Sequence, residues 1–226
     1  MPPALLIVAH GTRRAEGVAM LQALRAEAAR RLPGTEVRLA FVDVLGPTPE
    51  EALRELPGRV VIVPAFLASG YHVRTDLPRQ VRRSGREGVV IAPALGPDPA
   101  LAAVLAERLR ELGWDGSGQA VLAVVGTNDP AAQAENRTTL RQLEAALGTE
   151  ARLGTIAQGD PRIDTVVRDL QGPVFIAQYL LADGLFSRKL AELAEGARGI
   201  TAPFGTHPQV AELIADRYLR VADTVE

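Results

Sequence analysis

Two histidines at the ends of apolar runs carry the chemistry that this chain can offer. His10 follows Leu5-Leu6-Ile7-Val8-Ala9 and precedes Gly11-Thr12, and His72 lies just beyond Pro64-Ala65-Phe66-Leu67, after Gly70-Tyr71. The chain has only three histidines, so two in matching settings mark a site where one would be an accident. Neutral imidazole is a good ligand for Co²⁺, Fe²⁺ and Ni²⁺, and it accepts protons near neutral pH. Asp43 closes a third apolar run, where a carboxylate either orients an imidazole, helps to neutralise a cation, or caps its own turn. The third histidine, His207, precedes Pro208 and reads as a helix cap.

Composition narrows the class. With 226 residues, 47% hydrophobic and 23% charged, the chain has room for one large domain or two small ones of ordinary globular type. A formal net charge of −2 argues against a general nucleic-acid binder. The absence of cysteine excludes thiolate ligands, cysteine nucleophiles and disulfides. No apolar run approaches the roughly 18 residues of a membrane span, and the N-terminus lacks signal-peptide features. The expectation is a cytoplasmic enzyme with neither nucleic-acid nor membrane partners. Lys189 is the one lysine, so arginine carries nearly all the positive charge and each arginine is correspondingly less informative.

The elements that position the histidines read as alternating strands and helices. Apolar runs at 5–9, 37–42, 60–67 and 89–95 are each followed by turn residues and a helical pattern. The first helix places Val18, Leu21, Leu24, Ala28 and Leu32 on one face. Thr48-Pro49-Glu50-Glu51 and Asp98-Pro99 are helix starts. Such alternation implies parallel strands with right-handed crossovers, and in such folds strand-to-helix turns line the ligand crevice.

The same order then recurs, with strands expected at 121–125, 153–157, 174–181 and 200–204. Val124-Val125-Gly126-Thr127 echoes Ala9-His10-Gly11-Thr12, and Leu180-Leu181-Ala182-Asp183-Gly184 echoes Phe66-Leu67-Ala68-Ser69-Gly70. Ala202-Pro203-Phe204-Gly205 echoes Ala92-Pro93-Ala94-Leu95-Gly96. The chain therefore reads as an internal duplication of two Rossmann- or flavodoxin-like α/β halves, 1–115 and 116–226, facing across a cleft. A two-half chain of this kind can act as a monomer. The repeat is also an internal control: His10 corresponds to Val125, His72 to Phe186, and Asp43 to Ala157 or Gln158. Polar candidates sit in the first half and their counterparts are neutral, as expected for one active and one degenerate half.

Ala9-His10-Gly11, Phe41-Val42-Asp43 with Pro47, and Gly70-Tyr71-His72-Val73-Arg74 with Asp76 and Pro78 together resemble the class II tetrapyrrole chelatases. The similarity is greatest to the sirohydrochlorin cobalto- and ferrochelatases. This resemblance implies chelatase-like halves and insertion of a divalent metal, cobalt or iron (nickel in some members), into sirohydrochlorin. The pathway would be cobalamin or siroheme biosynthesis, with a slight preference for cobalt from the chain's length. It implies His10 and His72 as metal ligands, one of them also accepting pyrrole protons, and Asp43 as a third metal-site residue. The family often has glutamate where this chain has Asp43, and the shorter side chain favours assistance through water over direct contact. Arg13 and Arg74 would pair with substrate carboxylates, Gly11 and Gly70 permit close backbone approach or special turns, and Tyr71 stacks on the macrocycle. Arg79, Arg82 and Arg83 read as a solvated helix face. No permanently bound cofactor is expected, the metal being a substrate.

Two other classes compare less well. Ala9 stands where arginine-histidine-glycine phosphotransfer enzymes need arginine, which removes the anion contact. A non-catalytic metal or tetrapyrrole binder would use the same pocket without turnover, and only an assay separates it from a chelatase.

Overall fold

The computed structural model describes residues 2–225, and among them eight strands and eight α-helices alternate. The first sheet comprises β1 (Ala4–Ala9), β2 (Val37–Phe41), β3 (Val60–Pro64) and β4 (Val89–Ile91), in the order β2-β1-β3-β4 and parallel throughout. Helices α1 (Ala15–Arg31), α2 (Pro49–Glu55) and α3 (Leu77–Ser84) connect them. Every residue of β1 and β3 is buried, so the continuous apolar runs are those of parallel strands covered on both faces. On one face Leu6, Val8, Val60 and Ile62 pack with Leu53, Leu56 and Leu77. Helix α1 buries Leu21, Leu24 and Ala28 as its periodicity requires, Leu32 is buried just beyond its end, and Val18 is half-buried.

The second sheet repeats the first. Strands β5 (Gln119–Val124), β6 (Arg152–Thr155), β7 (Val174–Gln178) and β8 (Gly199–Ile200) are parallel in the order β6-β5-β7-β8. Helices α4 (Pro99–Glu111), α5 (Pro130–Leu147), α6 (Ile163–Asp169), α7 (Leu185–Leu193) and α8 (Pro208–Ala222) complete the chain. Helix starts follow their residues closely. Thr48 and Glu51 form a reciprocal capping box, while Asp98 and Asp129 accept from the N–H groups two residues on. His207 Nδ1 accepts from Gln209 N at 3.2 Å, which makes the third histidine a cap.

Compact units do not follow the sequence repeat. One unit contains the chain up to Leu95 together with Gly205 onward, and the other is Gly96–Phe204. The boundary expected between 115 and 116 separates sequence repeats, but the last helix of each repeat is exchanged. Helix α4 packs on α5 and β7, whereas α8 packs on α1 and β3. Tyr218 of α8 donates to Pro3 O at 2.6 Å, and Arg217 Nε donates to Ala94 O at 3.1 Å. Apolar side chains on both exchanged helices are what the sheets need for cover, and a repeat boundary read from sequence does not reveal whose sheet a helix covers.

The two strand-to-helix turns share a built-in constraint. Gly11 (φ +101°) and Gly126 (φ +87°) both lie in the region that L side chains avoid. A Cβ on Gly11 would collide with the carbonyl oxygen of Asp43, and one on Gly126 with that of Gln158. Asp43 N donates to His10 O at 3.0 Å, and Ala157 N to Val125 O at 2.8 Å. The backbone register thus pairs Asp43 with Ala157, while the oxygen facing the glycine shifts by one residue. Gly34→Ala, at φ +81° with open space around it, is expected to cost only left-handed strain, about 1–2 kcal/mol. Gly126→Ala adds a backbone collision and should cost at least about 1 kcal/mol more. Urea unfolding of the two variants checks this, and equal costs would show that the turn relaxes freely.

Candidate metal centre

Strand pairing brings the two histidines together. Within the first unit β1 and β3 are neighbours, with Val8 opposite Pro64, and Ala65 N extends the ladder to Val8 O at 2.7 Å. His10 leaves the sheet directly after β1, and the chain beyond β3 returns through 65–71 to place His72. The imidazole centroids are 4.9 Å apart and the rings meet edge to face at 76°. Phe66 lies nearly parallel to the His72 ring at 6.4 Å, and Tyr71 meets it edge-on at 5.6 Å. His10 is exposed and His72 half-buried, so the pair is open to an incoming ion.

His72 begins a π-helical turn, His72–Asp76, closed by the N–H of Leu77 on the His72 carbonyl. Such single turns are rare and recur at functional sites. Here the turn sets Asp76 Oδ2 at 3.2 Å from His72 Nδ1. Arg79 Nη2 donates to Asp76 Oδ1 at 2.6 Å, and Gln80 Nε2 donates to Oδ2 at 3.3 Å. Burial acts to raise the Asp76 pKa, but the bonds from His72, Arg79 and Gln80 and the Arg79 charge outweigh it, and the carboxyl is held below its ordinary value. An ionised carboxylate only accepts hydrogen bonds, so His72 Nδ1 carries a proton, and in the neutral ring this leaves the lone pair on Nε2. Asp76, and then the Tyr71 phenol, hold the Arg79 guanidinium above its ordinary value.

Asp76 and Arg79 are the residues that sequence reasoning undervalued. Asp76 was visible only as part of a motif, and Arg79 was expected on a solvated face. The signal was the i, i+4 and i, i+3 spacing of His72-Asp76-Arg79 on one helical segment.

Other expected residues are placed as follows. Asp43 is exposed, and its Oδ1 accepts from the N–H of Val44 at 2.8 Å, so the side chain caps its own turn. Val44 has φ 71°, a strained value for a β-branched residue, held where Asp43 is fixed to His10. Among the described residues no group of three His, Asp or Glu side chains gathers to hold a metal ion. The structure joins His10 to His72 and leaves Asp43 outside that pair. Gly11 is explained by its turn. Gly70 has open space where a Cβ would stand, and its carbonyl accepts from Val73 and Arg74 at 3.1 and 3.0 Å. Arg13 and Tyr71 are exposed, and exposed Arg74 donates through Nε to the Ser69 carbonyl. Two imidazoles leave most of a cation's coordination positions to water or to a second substrate, which suits an ion held for transfer.

Two parallel four-stranded repeats with a histidine pair on the first define a duplicated α/β chelatase-type architecture. The CbiX family model matches residues 4–112 and again 119–221, and the chain belongs to that family. The sirohydrochlorin ferrochelatase of Priestia megaterium is 24% identical over 85% of this chain and 78% of that protein. The sirohydrochlorin cobaltochelatase of Saccharolobus solfataricus is 35% identical over 33% of this chain and 70% of its own length. Among solved structures, SirB from Bacillus subtilis with Fe³⁺ superposes with a TM-score of 0.83 at 20% identity, covering 98% and 96% of the two chains. CbiX, described as the terminal enzyme for siroheme biosynthesis in denitrifying bacteria, gives 0.77 at 27% identity, covering 96% and 98%.

Asp76→Asn is expected to free the His72 ring, and long-range ¹H–¹⁵N spectra should show its Nδ1–H tautomer giving way to a mixture. Because folding lowers the Asp76 pKa, its contribution to stability is complete above the ordinary aspartate pKa and disappears as pH falls through the lowered value. The stability gap between wild type and Asp76→Asn should therefore close in acid, and a gap independent of pH would contradict the assignment.

Proposed function

We propose that this chain inserts a divalent metal, cobalt or iron, into sirohydrochlorin, serving cobalamin or siroheme biosynthesis. The observation that carries the reading is the His10–His72 pair, 4.9 Å apart, on a chain of the CbiX family. The relative aligned over most of the chain is named for iron and those aligned over about half or less for cobalt, so both ions stay in the proposal.

The two imidazoles bind the incoming ion, His72 through Nε2, while water fills the remaining positions. Insertion replaces two pyrrole N–H protons by the metal: the macrocycle and M²⁺ give the metallated ring and two protons. One histidine accepts a pyrrole proton once its hold on the ion is released, and passes it to solvent. Asp76 keeps His72 in the ligating tautomer. Asp43 adds negative charge through water rather than by direct contact. Arg13 and Arg74 pair with substrate carboxylates, Tyr71 offers a ring face to the macrocycle, and Gly70 leaves room for it. No permanently held cofactor enters the scheme, and the protein works as a cytoplasmic monomer. Among the described residues no helix is long and apolar enough to cross a membrane.

The test is spectral conversion of sirohydrochlorin by Co²⁺, Fe²⁺ or Ni²⁺ with protein well below the substrate concentration. A chelatase accelerates conversion over many turnovers. A change that stops in proportion to protein would mean a non-catalytic binder. The double variant His10→Ala, His72→Ala should lose turnover and ion binding, and retention of both would sink the assignment. Asp76→Asn should weaken Co²⁺ binding by roughly 10–100-fold, the usual effect of removing a carboxylate behind a ligating imidazole.

A further inference from the structure

We propose that a small polar pocket within the second unit binds a carboxylate group. The pocket, about 70 Å³, lies where the turns after β5 and β6 meet α5, and it is lined by Asn136, Arg137, Gln133, Thr127, Thr155 and Asp160 among others. It lies at the C-terminal ends of β5 and β6, the edge of the sheet on which parallel α/β folds take their ligands.

The repeat shows what is unusual here. Helix α1 buries Gly17, Leu21, Leu24 and Ala28, and α5 buries Ala132, Asn136, Thr139 and Leu143. In the register that pairs Gly11 with Gly126, Asn136 stands where α1 has Leu21, and Thr139 where it has Leu24. Thr139 is accounted for: its hydroxyl donates to Glu135 O at 3.2 Å and also bonds to Tyr179. Asn136 is 8% exposed, faces the pocket, and has no side-chain hydrogen-bond partner among the described residues. Its polar atoms keep contact with the open pocket rather than being sealed in the core, so the second repeat has placed a hydrogen-bonding amide at the pocket wall where the first repeat packs a leucine.

The chemistry of the lining selects that ligand. Gln133 Nε2 donates to Thr127 O at 2.9 Å, Thr127 Oγ1 accepts from Asp129 N at 3.1 Å, and Thr155 Oγ1 donates to Gly159 O at 2.6 Å. The Gln133 amide and the Thr155 hydroxyl are thereby committed as donors within the protein, while the Thr127 O–H is left to donate. The Asn136 amide and the Arg137 guanidinium, which has no ion-pair partner among the described residues, remain as donors. Donors that include a guanidinium call for an anionic acceptor. The pocket holds about two water-sized groups. Exposed Asp160 lines it as well, and its negative charge disfavours a phosphate dianion and leaves room for a single charge. A carboxylate satisfies both limits. It can come from a free small acid or from a side arm of a larger substrate such as sirohydrochlorin.

The experiment follows the Asn136 side-chain amide and the Gly126 and Thr127 backbone amides by ¹H–¹⁵N spectroscopy in the full chain. Acetate should shift them saturably, and sodium chloride at matched ionic strength should not. Arg137→Gln, on the protein surface, should weaken acetate binding about tenfold. Asn136→Leu should abolish the response of Gly126 and Thr127 while raising the unfolding temperature. Metal-free sirohydrochlorin forms the second arm. The same shifts at lower concentration than acetate identify a side arm as the source, and shifts with acetate alone identify a free acid. Absence of a saturable shift in both arms, an equal response to chloride, or undiminished affinity in Arg137→Gln would overturn the proposal. Neither arm requires metal insertion, so failure here is distinct from failure of the chelatase reading.

Discussion

Parallel pairing of β1 with β3 is the constraint on which the site rests. Parallel strands end on the same edge of a sheet, so the residues that follow them leave side by side. His10 is one residue past the end of β1, and the segment after β3 needs only to turn back into the π-helical turn to bring His72 against it. An antiparallel neighbour would have sent the second histidine to the opposite edge. The buried Asp76 carboxylate then fixes the ring that the strands have delivered, and Arg79 and Gln80 hold the carboxylate. Position comes from the backbone ladder and orientation from one small polar network.

The second half separates what the fold requires from what the chemistry requires. Both halves keep the left-handed glycine under a neighbouring carbonyl, and both keep the threonine that accepts the N–H two residues on, Thr12 from Arg14 and Thr127 from Asp129. These features belong to the architecture. The imidazoles do not: Val125 and Phe186 occupy their places, and both pack against the core of the second unit. The second half has in turn placed polar groups on the buried face of α5, where the first has leucines. Divergence has run in both directions.

Much of this was readable from residue order. Alternating apolar runs, capped helix starts and the His-Gly and Gly-Thr echoes gave the parallel class, the duplication and the histidine pair. The expected strands overran the observed ones at their C-terminal ends: β3 stops at Pro64 rather than at 67, and β8 at Ile200 rather than at 204. The residues beyond are apolar because the loops leaving a covered sheet are themselves buried, as Ala65 and Phe204 are, and hydropathy does not distinguish a buried loop from a strand. Asp76 and Arg79 were hidden for a related reason. An acid and a base three apart on a helix read as a solvent pair unless the burial of one of them is known. Asp43 stays open between its two sequence readings, since a carboxylate at a strand end serves a turn as readily as it serves an ion, and here it accepts from the Val44 N–H.

The exchange of α4 and α8 bears on the order in which this molecule can be made. Both histidines are synthesised within the first third of the chain, yet α8, which covers α1 and β3, is synthesised more than a hundred residues later. Until it arrives, α1 covers β2 but the side of β3 against which α8 packs lacks its cover, and closure depends on contacts between distant parts of the chain, the slow kind in folding. The second unit, Gly96–Phe204, is uninterrupted in sequence. A nascent chain that stalls before α8 thus carries both histidines without the finished frame around them.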